Sequence, residues 1–584
     1  MDHRGGAGPF SIPSSSRSGP YAVCPDSAAR PLQFRAHRVW SIVVMLTDSV
    51  WESSDELAEH VPSGIHHYLP RSALCVTLVL AIYGISLSAL IARHEVSRDE
   101  VRAYSIARAA ADPVDLVRAK LVDEGHPPLW YVLLWMGSEL WNDSYAVLKV
   151  ASFLVAFSLV CIVLLASPFP LLHRCLFAFG VFPTYYLSVL CRSYGLAAFL
   201  VLLLAVEYSR KPTPSPWRLG TYGALLATTT VYGAIVACAF LLVPIQGDTL
   251  AASRRRHFGI VAFLIALGLG LCAYTIWPTH DNLAVSSKAM RSLHAGYATF
   301  ATDVLRTLYD VGTDRQGWVG FILTGFGVQT KLSSFGYSWL ASAVGVAGLV
   351  VLARFLWRWP RMLMAFGFCI VSSGLFAALV YPASELHIGV VATFLLALLW
   401  IVWSRHYTDT RPWRYLAILL GLSLLGHAAH GMRAAFHSLD HPFSASKVAG
   451  AFLNKAYPAA ILICEPDAYG ESLPYYASNP IYLVREGAFS QWVHFERRFN
   501  RVVTLSEIMD AALRIQETSG ETVLVSLPKA IREFRPGSFH WAYGRALTIT
   551  AEELQRFSRN FEEIAAFTDA SMETFVFYKA GTVP

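Results

Sequence analysis

Two adjacent carboxylates follow the first long apolar segment of the chain. Asp99 and Glu100 come just after Arg98, and Asp99 lies seven residues beyond Ala92, where that segment ends. Seven residues rise about 10 Å as a helix and reach at most about 25 Å when extended, so both acids are predicted to lie near the lipid headgroups. A carboxylate held there could act on the head of a lipid-linked substrate.

The transfer of a sugar from a lipid phosphate to a hydroxyl is a reaction that needs one such acid. An alcohol is a poor nucleophile until its proton leaves in the transition state, and a positioned carboxylate can take that proton. Phosphate is already a good leaving group, but its charge must be held by Arg, Lys or a metal ion. We therefore predict that Asp99 is the base and that Glu100 contacts a sugar hydroxyl or a metal. In the alternative interpretation, Asp99 only caps a helix that begins at Glu100.

Other polar residues are predicted to share the membrane face of Asp99. The candidates for substrate binding are His126, Arg192, Tyr194, Lys288, Arg291, Glu385 and His387. Arg192 joins two apolar segments, where a cation could bind a lipid phosphate or simply reach the headgroups. Glu385 and His387 lie at a helix boundary, where ionisable groups are costly unless they are used or paired.

For two candidate sites a structural interpretation is at least as good from spacing alone. His126 precedes Pro127-Pro128, a pair that suits the start of a helix. Lys288 and Arg291 would share one helix face with His294, as a phosphate clamp or as a solvated charged face. No metal-binding cluster is evident, and no cofactor is predicted with certainty, although a divalent cation stays an open alternative.

The composition predicts a polytopic membrane protein. Of 584 residues, 54% are hydrophobic and 15% charged, the mean hydropathy is +0.43, and soluble proteins carry nearer a quarter charged residues. Apolar runs recur at the roughly 17 to 25 residues that a helix needs to cross the hydrocarbon layer. They lie at residues 72–92, 144–166, 174–191, 193–209, 258–277, 337–356, 362–381, 386–404 and 415–433.

One further run, residues 219–246, is too long for one crossing and short for two. Basic residues in the connecting loops fall on a single side of the membrane only if this run enters and returns, with its apex near Thr229 to Gly233. We therefore predict about eleven membrane segments, a cytoplasmic N-terminus and an extracytoplasmic C-terminal region. The net charge of +6 then reflects these cytoplasmic loops, and no nucleic-acid partner is predicted.

Three regions are expected. Residues 1–70 form a largely disordered cytoplasmic tail, and residues 71–433 form the transmembrane region, with external loops at 93–143 and 279–335. Residues 434–584 alternate β-rich runs with helical patterns, which predicts an extracytoplasmic α/β domain. Its strands are expected near 460–464, 481–484, 522–527 and 574–578, and its helices near 444–456, 505–517 and 551–563.

Several motifs in order resemble the GT-C class of integral-membrane glycosyltransferases, particularly the bacterial branch of protein O-mannosyltransferase-like and aminoarabinose-transferase-like enzymes. Asp99-Glu100 resembles the acidic motif of the first external loop in that class. The other matching stretches are GHPPLWYVLL (125–134), FPTYYLSVLCRSYGLAAFL (182–200), YPASELHIG (381–389) and HPFSASKVAGAFL (441–453). The resemblance spans roughly residues 72–455.

This resemblance implies an inverting hexosyl- or pentosyltransferase of the bacterial plasma (inner) membrane, with Asp99 as its catalytic acid. Its donor would be a sugar on polyprenyl phosphate, and its acceptor a cell-envelope glycan, lipid or protein among the membrane lipids. Two alternatives stay open. The many crossings would also suit a transporter or flippase of lipid-linked sugars, although the charges gather at one face rather than at the midplane. A non-catalytic scaffold with the same fold is the other.

Overall fold

The computed structural model describes most of the chain beyond residue 68. The described residues are 69–141, 144–210, 213–245, 251–277, 348, 350–380, 384–496, 498–499, 501–541 and 545–581. The predicted tail at 1–68, the loop 279–335 with Lys288 and Arg291, and much of the apolar run 337–356 lie outside them.

Helices make up most of the described residues before residue 441. Their bounds are α1 Leu69–Arg93, α2 Arg98–Arg108, α3 Pro113–Asp115, α4 Leu129–Leu140, α5 Ala146–Ala166, α6 Leu171–Ala178, α7 Tyr194–Ser209, α8 Pro216–Ala227, α9 Val231–Phe240, α10 Ala251–Ile276, α11 Pro360–Leu379, α12 Glu385–His406 and α13 Arg411–Asp440. Two π-helical turns, Leu116–Lys120 and Phe182–Tyr186, interrupt them.

Six of the described helices are long and apolar enough to cross a membrane: α1, α5, α10, α11, α12 and α13. Helices α7 and α9 are shorter but apolar. Large apolar side chains such as Ile85 and Phe263 stand exposed on these helices, as expected where lipid replaces water as the solvent. The chain is therefore an integral, polytopic α-helical membrane protein, which confirms the predicted fold class.

Helices α7 and α12 form the centre of the bundle. Within the most apolar part of α12, 89% of the residues are buried, and α7 is buried along nearly its whole length. A helix that is apolar on all sides has no polar face to turn to solvent, so it takes the central position. The amino-terminal ends of α7, at Tyr194, and of α12, at Glu385, lie at the same end of the bundle.

Of two notable predicted membrane segments, the run 219–246 has the expected hairpin and the run 174–191 differs. The run 219–246 contains two helices, α8 and α9, which pack together around a turn at Thr228–Thr230; at 12 and 10 residues they rise only about 18 and 15 Å. The run 174–191 is not one helix. It breaks after α6, because Pro183 supplies no backbone N–H for a regular turn.

The region after residue 440 is an α/β domain, as predicted. Its helices are α14 Ser446–Ala456, α15 Leu505–Ser519 and α16 Ala551–Asn560, with 3₁₀ turns at Asp467–Tyr475 and Ile531–Glu533. Its strands are β1 Ile461–Cys464, β2 Tyr482–Leu483, β3 Ala488–Phe489, β4 Val502–Thr504, β5 Val523–Leu527, β6 Gly537–His540, β7 Ala546–Ile549, β8 Phe561–Phe567 and β9 Phe575–Ala580.

The main sheet has the order β1-β5-β9-β8. Strands β1 and β5 are parallel, whereas β9 is antiparallel to both β5 and β8. A second sheet has the order β4-β7-β6. The helix predicted at 551–563 ends at Asn560, and the chain continues directly as β8. Strands β3, β4, β6, β7 and β8 were not predicted from the sequence.

Candidate functional site

Helix α2 carries both acids, and its first turn is fixed by a reciprocal cap. Ser97 is the N-cap residue in extended conformation. The carboxylate of Glu100, three residues on, accepts from the Ser97 backbone N–H at 2.7 Å and from its hydroxyl at 2.8 Å. This pattern satisfies backbone donors that a helix start leaves unpaired. The cap therefore uses Ser97 and Glu100, and the alternative that Asp99 is the N-cap was wrong.

Glu100 is completely buried and surrounded by donors. Besides Ser97, it accepts from Nε2 of His94 at 3.0 Å and from the backbone N–H of Cys191 at 2.7 Å. Burial alone would raise the pKa of its carboxyl, but these donors outweigh burial and lower that pKa, so the group is ionised. The Cys191 contact ties the start of α2 to the loop that presents Arg192.

Asp99 has a different environment. Its side chain is 46% exposed, and its Oδ2 accepts from Nη1 of Arg192 at 3.0 Å, while Nε of Arg98 lies 3.6 Å from Oδ1. Burial would raise the pKa of Asp99, but Arg192 and then Arg98 outweigh that effect and lower the pKa. Asp99 is thus an ionised carboxylate with one cation at each oxygen and open space beside it.

Arg192 continues the site toward the centre of the bundle. Its guanidinium carbon lies 5.5 Å from the centroid of the Tyr194 ring, and the Tyr194 hydroxyl lies 2.8 Å from Nε2 of His387. Nδ1 of His387 accepts from the backbone N–H of Ser384 at 2.7 Å, so the hydrogen-bond network assigns the ring proton to Nε2, which donates to Tyr194.

Tight packing holds this loop against α7. A Cβ on Gly195 would overlap the carbonyl oxygen of Leu187, so only glycine permits the approach. The ring of Tyr232, just past the turn between α8 and α9, stacks on His387 with centroids 4.6 Å apart. In the same turn, the carbonyl of Thr228 accepts from the backbone N–H of Leu129 at 3.0 Å. The α8–α9 hairpin therefore reaches the same end of the bundle as Asp99.

His126 lies within electrostatic range of Asp99 and Arg192. Its Nδ1 is 3.1 Å from the carbonyl of Glu124, and burial is the largest of several effects that together lower the pKa of its imidazole. His126 is therefore a neutral ring near neutral pH. The structure brings Asp99, Arg192, Tyr194, His387 and His126 to one region.

An arginine not singled out from the sequence connects α2 to Glu124 and to the α/β domain. Arg102 donates to both carboxylate oxygens of Glu124, at 2.9 Å from Nε and 2.6 Å from Nη2. Its Nη1 donates to Glu471 of the α/β domain at 2.6 Å and to the carbonyl of Val493 at 2.8 Å. The only sequence signal was the position of Arg102 one helical turn after Asp99, because its partner Glu471 is 369 residues away.

The α/β domain also holds the residue next to Asp99. Glu573 accepts from the backbone N–H of Arg98 at 2.8 Å and from the hydroxyl of Ser444 at 2.8 Å. Burial raises the pKa of its carboxyl to about 7, although Arg98 and Ser444 oppose that rise. Thus the amino-terminal turn of α2 is fixed from one side by Glu100 and from the other by Glu573.

For three of the predicted site residues the structure adds no contact to this region. Glu385 is exposed in the first turn of α12, and its side chain makes no hydrogen bond or ion pair with another described residue. Lys288 and Arg291 lie outside the described residues. Within the described part of the chain, no three His, Cys, Asp or Glu side chains group in a way that could hold a metal ion.

The comparison with solved structures finds similar chains at 11–13% identity, with TM-scores of 0.33–0.44. The chain is similar to ArnT from Cupriavidus metallidurans bound to undecaprenyl phosphate, with 12% identity and a TM-score of 0.44, over 86% of this chain and 97% of that one. The apo state of the same ArnT gives 13% identity and a TM-score of 0.36, over 87% and 98%.

A third similar structure is the mycobacterial arabinofuranosyltransferase AftD, with 11% identity and a TM-score of 0.33, over 86% of this chain and 41% of AftD. No protein-family model matches the sequence, and no curated protein matches it. Similarity at this level assigns no role to any residue of this chain.

Proposed function

We propose that this protein is a glycosyltransferase that moves a sugar from a polyprenyl-phosphate carrier to a cell-envelope acceptor at the extracytoplasmic face of a bacterial plasma membrane. The observation that carries the proposal is the Asp99–Arg192 pair, with a nitrogen-to-oxygen distance of 3.0 Å. It combines a half-exposed base with a cation at the end of an apolar bundle, the two groups that this reaction requires.

Asp99 is the proposed general base. Its Oδ2 is hydrogen-bonded to Arg192, whereas its Oδ1 has, among the described residues, only Arg98 at 3.6 Å, so Oδ1 is the oxygen that would take the proton from the acceptor hydroxyl. The same hydroxyl oxygen forms the new bond to the sugar carbon as the bond from that carbon to the phosphate oxygen breaks. The departing electron pair stays on the polyprenyl phosphate.

Arg192 is the proposed phosphate ligand. A donor phosphate that binds its guanidinium competes with Asp99 for the same N–H groups, and the Asp99–Arg192 pair weakens as a result. Since Arg192 lowers the pKa of Asp99, loss of that contact raises the pKa and makes Asp99 a stronger base. Donor binding would thus prepare the base. Tyr194 and His387 would keep the guanidinium in place, and His126 would border the sugar.

Glu100 is proposed as a positioning residue rather than as the sugar or metal contact expected from the sequence. Its carboxylate already accepts from His94, Ser97 and Cys191, and it is fully buried. A carboxylate engaged in this way has little capacity for a ligand. What it does is set the distance between Asp99 on α2 and Arg192 on the neighbouring loop.

The test is transfer by the full-length protein in proteoliposomes supplied with a radiolabelled polyprenyl-phosphate sugar and extracted envelope acceptors. Asp99→Asn is expected to lower kcat/KM by about 10²–10⁴-fold, because it removes the base while it keeps the shape of the side chain. Glu139→Gln, a change to an exposed acid on α4, is the matched control and should leave transfer unchanged. Full transfer by Asp99→Asn would contradict the assignment.

The same preparation separates the other functions. Movement of the lipid-linked sugar across the bilayer without product would identify a transporter, and neither movement nor product would favour a scaffold. The orientation is tested by a reporter fused at residue 213, which should read as cytoplasmic. An external reading there would contradict the proposed face.

A further inference from the structure

A second cleft lies between the helical region and the α/β domain, away from Asp99. Its volume is about 410 Å³, within the usual range for ligand sites of roughly 300–1,000 Å³. Its walls come from both parts of the chain: Arg108, Tyr145, Asn454, Pro474, Tyr475, Tyr476, Ala477, Ser478, Asn479 and Gln491. None of these residues belongs to the Asp99–Arg192 site.

Three tyrosine rings make the apolar wall of this cleft. Tyr475 meets Tyr145 edge-on with centroids 5.1 Å apart, and it meets Tyr476 edge-on at 4.7 Å. The Tyr476 hydroxyl accepts from the backbone N–H of Val96 at 3.1 Å, which fixes that ring against the start of α2. The faces of sugar rings carry C–H groups that pack on aromatic rings such as these.

The polar side chains of the cleft suit hydroxyl groups. Gln491 and Ser478 are exposed, and their side chains form no hydrogen bond with other described residues, so their donors and acceptors are available. The amide of Asn454 is oriented by its bond to the Tyr476 carbonyl at 2.7 Å. Planar amides and hydroxyls both donate and accept, which matches the hydroxyls of a sugar.

Asn479 is held rigidly in the same wall. Its side-chain N–H groups donate to the carbonyls of Tyr457 and Ala460, each at 2.8 Å. Its Oδ1 has no partner among the described residues, although Asn479 is only 7% exposed. Because Oδ1 is itself shielded from the cleft, Asn479 contributes a fixed, uncharged part of the wall and not a binding group.

Charge and position narrow the class of ligand. Arg108 is the one charged residue among those lining the cleft, and its guanidinium carbon lies 5.2 Å from the Tyr145 centroid. A cationic ligand is therefore disfavoured. Arg108 ends the helix on which Asp99 lies in the first turn, and nine residues of helix separate the two by about 14 Å. A short oligosaccharide could span that distance.

We propose that this cleft binds the glycan chain of the acceptor at some distance from the hydroxyl that reacts at Asp99. The inference rests on the proposed function and specifies it, because it selects a glycan from among the glycan, lipid and protein acceptors. Its ligand is a neutral or acidic oligosaccharide, which would stack on Tyr475 and hydrogen-bond to Gln491.

The test is binding of fluorescently labelled tri- and tetrasaccharides, neutral and acidic, to the purified full-length protein in nanodiscs. At least one should bind the wild type, and Gln491→Ala should weaken that binding about tenfold, the effect of one lost hydrogen bond. Tyr475→Ala should weaken it further. Gln555→Ala, a change to an exposed glutamine on α16, is the matched control and should bind as the wild type does.

The inference is overturned if no saccharide binds the wild type, or if Gln491→Ala and Tyr475→Ala both bind as tightly as the control. Thermal unfolding of Gln491→Ala should match the wild type, since this side chain is exposed, and that keeps the result independent of folding defects in Tyr475→Ala. Asp99→Asn should bind the same saccharides unchanged while it loses transfer. If the wild type transfers the sugar but binds no saccharide, the proposal that the cleft binds a glycan is wrong and the proposed function stands. If saccharides bind but Asp99→Asn keeps full transfer, the assignment of Asp99 as the base is wrong and the cleft proposal stands.

Discussion

Asp99 and Glu100 are neighbours in the chain with the same chemistry and opposite surroundings. The Asp99 side chain is 46% exposed and is paired at Oδ2 with Arg192, whereas Glu100 is completely buried and accepts from His94, Ser97 and Cys191. Successive residues of a helix point about 100° apart, so one turn can face two environments. Of these two adjacent acids, the partly exposed Asp99 is suited to act on a substrate. The buried Glu100 instead holds the first turn of the helix, and with it Asp99, in position.

Removal of the enclosed acid should have the largest effect on stability. Glu100→Ala leaves His94 and the N–H groups of Ser97 and Cys191 without their acceptor, which we expect to cost about 3–5 kcal/mol in free energy of unfolding. Thermal unfolding of the full-length protein in detergent measures the loss. Glu139→Ala, at an exposed position on α4, should change stability by less than about 0.5 kcal/mol. If Glu100→Ala and Glu139→Ala were equally stable, Glu100 would not hold the helix start, and its assignment as a positioning residue would be wrong.

Loss of the cation next to Asp99 should act on catalysis rather than on folding. Arg192→Ala is expected to lower kcat by about 10²–10³-fold, as for the loss of one group that stabilises developing charge. Arg192→Lys should recover part of this loss. Without Arg192 the pKa of Asp99 rises, so the base is protonated at a higher pH than in the wild type, and the acid limb of the pH–rate profile should move toward neutral pH. An unmoved acid limb would show that Arg192 does not act on Asp99.

The smallest expected effect comes from the α/β domain, through Glu573. Its pKa in the folded protein, about 7, exceeds the ordinary value of 4.5. The folded state therefore binds the proton more tightly, and stability is lost as the pH rises from about 4.5 to about 7. Glu573→Gln removes this dependence, because an amide still accepts the Arg98 N–H and carries no charge. The variant should match the wild type near pH 4.5 and exceed it at pH 8 by at most about 3 kcal/mol.

Thermal unfolding at the two pH values measures this difference. If the wild type and Glu573→Gln respond alike to pH, then another group must account for any pH dependence. Transfer activity is a second measurement on Glu573→Gln, because Glu573 binds the backbone N–H of Arg98, one residue before Asp99. Glu573→Gln should keep activity near that of the wild type, since the hydrogen bond to Arg98 is retained.

Much of the fold could be predicted from the sequence, because its elements are marked locally. The first apolar run, 72–92, lies within α1, and the β-rich run 522–527 contains β5, since each is bounded by polar residues and turn signals. The failures have local causes too. The run 174–191 is apolar on both sides of the break after Ala178, which hides that break, and β8 follows α16 at Phe561 with no glycine or proline between them.

The site could be predicted only in part. Asp99 and Arg192 were each selected by residue type and by their place at the end of an apolar segment, and that is the information a sequence carries. The bonds from Arg102 to Glu471 and from Arg98 to Glu573 join residues 369 and 475 positions apart. No local pattern of polarity encodes such a pairing, so the role of the α/β domain in holding α2 was missed.

The bond between Arg98 and Glu573 also has a consequence for biosynthesis. The ribosome makes Arg98 475 residues before Glu573, and α1, α5, α10, α11, α12 and α13 are all translated in between or before. A nascent chain can thus insert its helices into the bilayer while the turn that carries Asp99 still lacks its final attachment. Competence for the proposed reaction would then arise late, after Glu573 and β9 have joined the α/β domain, so a half-made chain would not act prematurely on the proposed lipid-linked donor.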